Sequence, residues 1–148
     1  MPHIERTAAI VWEGNVARGS GVLSAGTGAF SDLGFSLATR ITAVEGKTSP
    51  EELLAAAHGG CYTMSLASEL TQAGTPPGRL DVSCRIVMDE VEGQGHQIVA
   101  SQVEAVVSVD GLEEAALAAA SAKADEGCPF SQLLRRAGAD VRVSARLG

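Results

Sequence analysis

A long and mostly apolar segment, beginning at Ser49 and reaching about Gln72, limits the folds open to this chain of 148 residues. Ser49 is a good N-cap, Pro50 suits the first helical position, and acidic residues follow in the first turn. Glu52 stands at the capping-box position relative to Ser49. Turn-forming residues 73–78 end the helix. Because apolar residues cover nearly its whole circumference, the pattern predicts a buried central helix.

Two adjacent glycines, Gly59 and Gly60, lie in this helix directly before Cys61. Each glycine in a helix interior costs about 1 kcal/mol relative to alanine, so a helix needs a reason to carry two. The pair removes side chains from the turn before the thiol. We expect the resulting gap to receive a ligand, another helix or a second cysteine.

The residues before the helix predict strands. Residues 6–14 and 16–24 are short and rich in β-formers, and the turn residues between them predict a hairpin. Residues 26–34 predict a loop. Residues 35–44 predict a third strand, whose period of two places Leu37, Thr39 and Ile41 on one face and Ala38, Arg40 and Thr42 on the other.

The residues after the helix predict two strands, two helices and a closing strand. Long strand patterns at 79–93 and 96–111 meet at a glycine-rich turn and predict a second hairpin. An alanine-rich helix follows at 112–127, another helix starts at Cys128, and residues 139–147 predict the last strand. This order predicts an α+β fold in a single domain over residues 1–148.

Charge and composition exclude several classes of protein. The net charge is −7 and the pI is about 4.9, and a negative surface repels phosphate backbones, so we expect no nucleic-acid partner. The absence of a membrane-length apolar run and of a secretory signal pattern predicts a cytoplasmic protein without a membrane partner. Aromatic residues are 3% of the chain, so small side chains must fill the core, which favours completing it with a second copy.

The three cysteines have different surroundings. An odd number in a reducing compartment argues against a structural disulfide framework. Cys84 lies on the apolar face of an alternating strand and is predicted to be a small buried residue. Cys128 stands at a helix start, where unpaired amides lower a thiol pKa. Cys61 lies too far along its helix for this effect, so its thiolate would need a guanidinium nearby.

Two motifs identify a family. The pattern SPEELLAAAHGGCYTMSL at residues 49–66, with CPFSQLL at residues 128–134, resembles the OsmC/Ohr family of thiol peroxidases, the osmotically inducible and organic-hydroperoxide-resistance proteins. The two cysteines are 67 positions apart. The stretch VWEGNVARGSGVLS at residues 11–24 is more similar to the OsmC branch than to the Ohr branch.

The resemblance implies a fold, an assembly and an activity. The fold is two long central helices wrapped by antiparallel sheets in an intertwined homodimer. The activity is hydroperoxide reduction, in which Cys61 attacks the peroxide and Cys128 resolves the sulfenic acid to a disulfide. By position, Arg40 matches the family's active-site arginine and Glu51 its glutamate, with Arg18 as the competing arginine. The resemblance implies no cofactor, and it points to lipoyl groups on proteins as the dithiol reductant.

These residue types suit that chemistry. A guanidinium stays protonated, so it can hold a thiolate and donate to peroxide oxygens, while a carboxylate fixes its plane. One alternative stays open: local electrostatics alone favour Cys128 as the thiol of lower pKa, whereas the resemblance gives the attacking role to Cys61.

Helix geometry adds an expectation about assembly. Glu51 and Cys61 are ten residues apart on one predicted helix, which is about 15 Å of rise. They cannot share a site in one chain unless the helix breaks. Antiparallel central helices in a two-fold dimer would bring each Glu51 to the partner's Cys61, and the glycines would permit the close approach.

Two other functions remain as alternatives. His58 and Cys61 form an H-x-x-C pattern that, with Cys128, could bind zinc, but zinc usually needs four ligands, so no metal is predicted and His58 is predicted to pack in the helix. The chain could also be a non-catalytic dimer that binds small molecules or lipids under stress. For a peroxidase, a pocket lined by Phe35, Phe130 and Met64 would favour alkyl or lipid hydroperoxides.

Overall fold

The computed structural model describes residues 2–148, and the chain divides between Leu53 and Leu54 into two units. The prediction of a single domain stays a prediction. The strands and helices, in chain order, are β1 (Ala8–Glu13), β2 (Ser20–Ala25), β3 (Leu33–Phe35), α1 (Leu37–Ile41), α2 (Pro50–Gln72), β4 (Arg79–Val91), β5 (Gly95–Ser108), α3 (Glu114–Gly127), α4 (Pro129–Arg136) and β6 (Asp140–Leu147).

The first unit contains an antiparallel sheet in the order β1-β2-β3. The predicted hairpin is confirmed, with Ala8 opposite Ala25 and Glu13 opposite Ser20. Inside this sheet the rings of Trp12 and Phe35 pack at 5.6 Å between centroids, tilted by 51°. A Cβ at Gly21 would lie 2.5 Å from the Phe35 ring and 2.9 Å from Trp12, so only glycine fits beneath this aromatic pair.

The predicted third strand over residues 35–44 is wrong. Pairing ends at Phe35, and the chain then forms the short helix α1. Ser36 and Thr39 explain the difference, because each side chain bonds the other's backbone amide in a reciprocal capping box. The predicted faces are therefore wrong as well: Thr39 is buried, whereas Ile41 is 74% exposed.

The predicted start of α2 is confirmed. The Ser49 hydroxyl accepts a 3.2 Å hydrogen bond from the Glu52 amide, as an N-cap should. The Glu52 carboxylate accepts a hydrogen bond from the Thr48 hydroxyl at 3.0 Å. The helix then continues without a break through Gly59 and Gly60 to Gln72.

The second unit contains a sheet in the order β4-β5-β6. Strands β4 and β5 form the predicted antiparallel hairpin, with a register shift at Val87/Met88. In contrast to the expected antiparallel sheets, β6 runs parallel to β5. The reason is the connection: α3 and α4 lie between these strands, and such a crossover returns the chain to the end where β5 began.

One face of α2 forms the core of the second unit. Tyr62, Leu66 and Leu70 are fully buried one turn apart, and they belong to one cluster with the inward residues of β5 and with α3. The Tyr62 hydroxyl is satisfied by Ser121 of α3 at 2.8 Å. The opposite face is open within the single chain, since Met64 is 76% exposed. The sequence predicts that α2 is buried on all sides, but within the single chain only one face of the helix is fully buried.

The two adjacent glycines of α2 have different surroundings. A Cβ at Gly59 would lie 3.1 Å from the Cβ of Cys84, so this glycine lets the helix approach β4. A Cβ at Gly60 would meet nothing within 4 Å, and Gly60 is exposed. Contacts inside the chain therefore account for Gly59 but not for Gly60.

In residues 2–148, no helix combines the length and the hydropathy needed to cross a bilayer.

The aromatic pair beneath β2 generates a stability prediction. Gly21→Ala should lower the free energy of unfolding by about 1–3 kcal/mol, because its methyl group collides with both rings. Gly127→Ala is the matched control, since that position is helical and its Cβ would meet nothing within 4 Å. Urea denaturation measures both variants, and equal midpoints would contradict the packing argument.

Candidate active site

An arginine and a glutamate form an ion pair in the first unit. Helix α1 carries Arg40 in its last turn, and Glu51 lies in the first turn of α2. The Nε and Nη2 of Arg40 donate to the same Oε1 of Glu51 at 2.8 and 2.5 Å. The Arg40 side chain is 42% exposed and that of Glu51 is 15% exposed. The carboxylate therefore fixes the guanidinium plane and leaves part of its surface open to solvent.

The second carboxylate oxygen of this pair is unusual. Oε2 of Glu51 is buried and has no hydrogen-bond partner among residues 2–148. A buried carboxylate oxygen without a donor is costly, so it marks a place where a donor from outside the described chain would be stabilised.

A small apolar cleft lies beside the arginine. Its volume is about 240 Å³, and its lining residues are Trp12, Val16, Phe35, Ser36, Leu37, Arg40 and Pro50. The lining is mostly hydrocarbon with one permanent cation, a composition that suits an apolar group carrying a polar end.

The second unit brings together two cysteines from distant parts of the chain. Cys61 is half-buried on α2, and Cys128 is fully buried at the N-cap of α4. The two side chains lie close enough for Cys128 to raise the pKa of Cys61. The fold thus makes neighbours of two thiols that are 67 positions apart in the sequence.

Burial is the main influence on the Cys61 thiol. It raises the pKa of Cys61, and the hydrogen bond with the Cys128 side chain raises it further, while a backbone hydrogen bond from Phe130 lowers it. Within the second unit, Cys61 is therefore kept largely as a thiol at neutral pH. Among the described groups that shift the pKa of Cys61, none is a cation.

The helix start at Cys128 differs from the expected arrangement. Cys128 is the N-cap of α4, as the Cys-Pro sequence predicts, but its side chain makes no capping hydrogen bond within the described chain. The sulfur instead faces the core, where it packs with Leu117, Ala124 and the buried face of α2.

A histidine and two serines form a buried polar cluster in the second unit. His58 Nδ1 lies 2.6 Å from the Oγ of Ser101, and Nε2 lies 2.8 Å from the Oγ of Ser131. All three residues are completely buried. The Sγ of Cys84 lies 3.6 Å from Ser101 Oγ, at the edge of this cluster. The prediction of a packed His58 is confirmed, and its ring nitrogens are occupied by hydroxyl groups.

Residues 2–148 contain no cluster of three or more histidine, cysteine or acidic side chains arranged to hold a metal ion.

The other residues singled out from the sequence lie in separate places. Arg18 is in the exposed turn after β1. Phe35 lines the cleft of the first unit, whereas Met64 and Phe130 belong to the second unit.

The sequence reasoning missed both serines that bond His58. One signal was available: Ser101 is a polar residue on the inward face of β5, between apolar residues, which indicates a buried hydrogen bond. Ser131 lies in the first turn of α4, where the sequence gives no indication of a buried hydrogen bond.

Two comparisons with known sequences point to the same family. The family described as OsmC-like protein matches residues 43–144. The chain is also similar to Peroxiredoxin OsmC of Escherichia coli strain K12, with 34% identity over 124 residues, which cover 84% of this chain and 85% of that relative.

Solved structures share the fold. An organic hydroperoxide resistance protein from Elizabethkingia anophelis superposes with a TM-score of 0.79 at 18% identity, covering all of both chains. The organic hydroperoxide resistance protein OhrB of Bacillus subtilis gives a TM-score of 0.69 at 21% identity, covering 95% of this chain and 98% of that one.

The contact between the cysteines generates a chemical prediction. Treating the reduced protein with diamide should join Cys61 to Cys128 within one chain and leave Cys84 as a free thiol, because Cys61 and Cys128 interact with each other, whereas the Sγ of Cys84 lies against Ser101 and His58. Peptide mapping without reductant identifies the bond. Cys84→Ser should form it unchanged, and a disulfide that includes Cys84 in the unaltered chain would contradict the geometry.

Proposed function

Because this chain belongs to the OsmC-like protein family, we propose that it is a thiol-dependent peroxidase that reduces organic hydroperoxides to alcohols. A curated relative is named a peroxiredoxin, and proteins of the same fold are named organic hydroperoxide resistance proteins. The observation that carries the proposal is the neighbouring pair Cys61 and Cys128. A reactive thiol beside a second thiol is what a two-cysteine peroxidase requires.

The proposed reaction has three steps that balance. The Cys61 thiolate attacks one peroxide oxygen, the O–O bond breaks, and the alkoxide leaves and takes a proton to become the alcohol. Cys61 is now a sulfenic acid. The Cys128 thiol then attacks that sulfur, forming the disulfide and releasing water. An external dithiol supplies two electrons and two protons to restore both thiols, and lipoyl groups on proteins are the dithiols we expect.

The proposed role of Arg40 follows from the state of the thiol. Burial raises the pKa of Cys61, so a fixed cation must stabilise its thiolate for attack at neutral pH. Arg40 is always protonated, and Glu51 already holds its guanidinium in one orientation. The same guanidinium donates to the peroxide oxygens and stabilises the leaving alkoxide.

We propose that the site is completed between two copies of the chain. Helix α2 is continuous, so the ten residues between Glu51 and Cys61 amount to about 15 Å of rise. Several apolar residues are exposed in the single chain: Ile10 and Val11 of β1 are each 56% exposed, and Met64 of α2 is 76% exposed. The open surface at Gly60, one turn before Met64, supports close contact of antiparallel α2 helices. Each Arg40–Glu51 pair would then serve the partner's Cys61.

The cleft beside Arg40 supports an organic substrate. Its lining is rich in hydrocarbon, including Trp12, Phe35 and Leu37. An alkyl group buried there gains about 25 cal/mol for each Å² of apolar surface removed from water. Hydrogen peroxide gains nothing from this burial, so we propose that alkyl hydroperoxides are the better substrates.

The catalytic proposal predicts turnover that depends on both cysteines. With dihydrolipoamide as reductant, the protein should reduce cumene hydroperoxide catalytically, and kcat/KM should exceed that for hydrogen peroxide by at least about tenfold, given the apolar burial. Cys61→Ser should abolish turnover, whereas Cys128→Ser, assayed without reductant, should consume about one equivalent of peroxide and stop at the sulfenic acid. Peroxide loss and intact mass measure these outcomes. Binding of an apolar ligand without any thiol oxidation would favour the non-catalytic binding protein instead.

The shared-site proposal predicts complementation between two inactive chains. A heterodimer of Glu51→Ala and Cys61→Ser chains should recover about half of the wild-type activity, because one of its two sites keeps both residues. Separately tagged chains allow the heterodimer to be purified and assayed. The control pairs a chain carrying both substitutions with a wild-type chain and should be inactive. Activity in the control with none in the first heterodimer would show that each site lies within one chain.

A further inference from the structure

A buried histidine links the helices that carry the two cysteines. His58 lies one turn before Cys61 on α2, and its ring is completely buried. Its Nε2 is 2.8 Å from the Oγ of Ser131, one turn after Cys128 on α4. Its Nδ1 is 2.6 Å from the Oγ of Ser101 on β5. The imidazole thus bridges α4 and the sheet from the helix of Cys61.

The charge state of His58 suits this bridge. Burial lowers the pKa of His58, while Asp125 raises it and Arg135 lowers it, so the net direction favours the neutral ring. A neutral imidazole has one N–H donor and one acceptor nitrogen, and each serine hydroxyl can donate or accept. Either tautomer therefore satisfies both nitrogens. Removing Ser131 would leave the buried Nε2 without its serine partner, which is costly, whereas Nδ1 has the Sγ of Cys84 at 3.9 Å in addition to Ser101.

Side-chain bonds connect α4 to two different helices, α3 and α2. Arg135 of α4 pairs with Asp125 of α3 at 2.5 Å, and the side chain of Gln132 donates to the Glu126 carbonyl at 2.7 Å. These bonds fix α4 relative to the end of α3. The bond between Ser131 and His58 ties the first turn of α4 to the helix of Cys61.

We propose that His58 is a positioning residue that, through Ser131, holds the first turn of α4 and therefore Cys128 against Cys61. It acts on formation of the disulfide rather than on attack on the peroxide. In that step the Cys128 sulfur bonds to the Cys61 sulfenic sulfur, and the hydroxyl group leaves as water with the thiol proton. Holding the sulfurs together raises their effective concentration for this reaction. The proposal rests on the proposed function for its role in turnover, but the link is tested without peroxide.

A matched pair of serine variants separates positioning from stability. Ser131→Ala and Ser101→Ala each remove one hydroxyl partner of the same ring, but only Ser131 lies on the helix of Cys128. Each full-length variant is equilibrated with reduced and oxidised glutathione, in which two glutathione thiols reduce one protein disulfide. The fraction of the Cys61–Cys128 bond is measured by mass. We expect the equilibrium constant for disulfide formation to fall about fivefold in Ser131→Ala and to stay within about twofold in Ser101→Ala.

A second pair of variants tests the same link from the histidine. The amide nitrogen of glutamine reaches the place of Nε2, whereas that of asparagine reaches the place of Nδ1. His58→Gln should therefore keep the bond to Ser131 and a disulfide equilibrium near that of the wild type. His58→Asn should keep the bond to Ser101 and reproduce the loss in Ser131→Ala. This pair decides the question if Ser131→Ala does not fold.

The outcomes are distinct for the two proposals. Equal shifts in Ser131→Ala and Ser101→Ala, or no shift in either, would overturn the positioning role, as would equal behaviour of the two His58 variants. Because glutathione replaces peroxide, the expected shifts would stand even if hydroperoxide turnover were absent. Turnover that depends on both cysteines, with no effect of Ser131, would retain the peroxidase and remove only the positioning residue.

Discussion

The second unit depends on the burial of one face of α2. Tyr62, Leu66 and Leu70 repeat every four residues and are completely enclosed by β5 and α3. His58 continues the same face one turn earlier, where the helix meets polar groups instead of hydrocarbon. Since the burial of this face fixes the rotation of the helix, it also decides that Cys61 stands at the edge of the core beside Cys128 rather than inside it.

Close approach of the backbone supports this packing. Gly59 brings α2 to within contact distance of Cys84 on β4, and a Cβ at this position, 3.1 Å from the Cβ of Cys84, would fit only if the helix or the strand moved by a few tenths of an ångström. Such a shift would move His58 from Ser101, which lies on the neighbouring strand. Gly59 lowers the intrinsic stability of the helix, but it allows the short hydrogen bond between His58 and Ser101. The satisfied imidazole offsets the conformational cost of the glycine.

Local signals in the sequence explain which parts of the fold could be predicted. The start of α2 at Ser49 and Pro50 and both hairpins follow from capping and turn residues, whose effects act over a few positions. The strand predicted over residues 35–44 is wrong because its rough alternation is typical of a strand, whereas Ser36 and Thr39 cap each other and start a helix. The parallel pairing of β6 and the partners of His58 depend on contacts between residues forty or more positions apart, which no local pattern encodes.

The partial exposure of Arg40 has a physical reason. Partial burial raises the pKa of Cys61, so this thiol keeps its proton at neutral pH, and a protonated thiol reacts slowly with oxidants. A guanidinium buried in the same core would cost several kcal/mol in lost hydration. Arg40 avoids that cost by remaining 42% exposed while Glu51 holds its orientation. Under the proposed function, a thiol that becomes nucleophilic only where such a cation meets it would react with substrates that reach the arginine and would be protected from others.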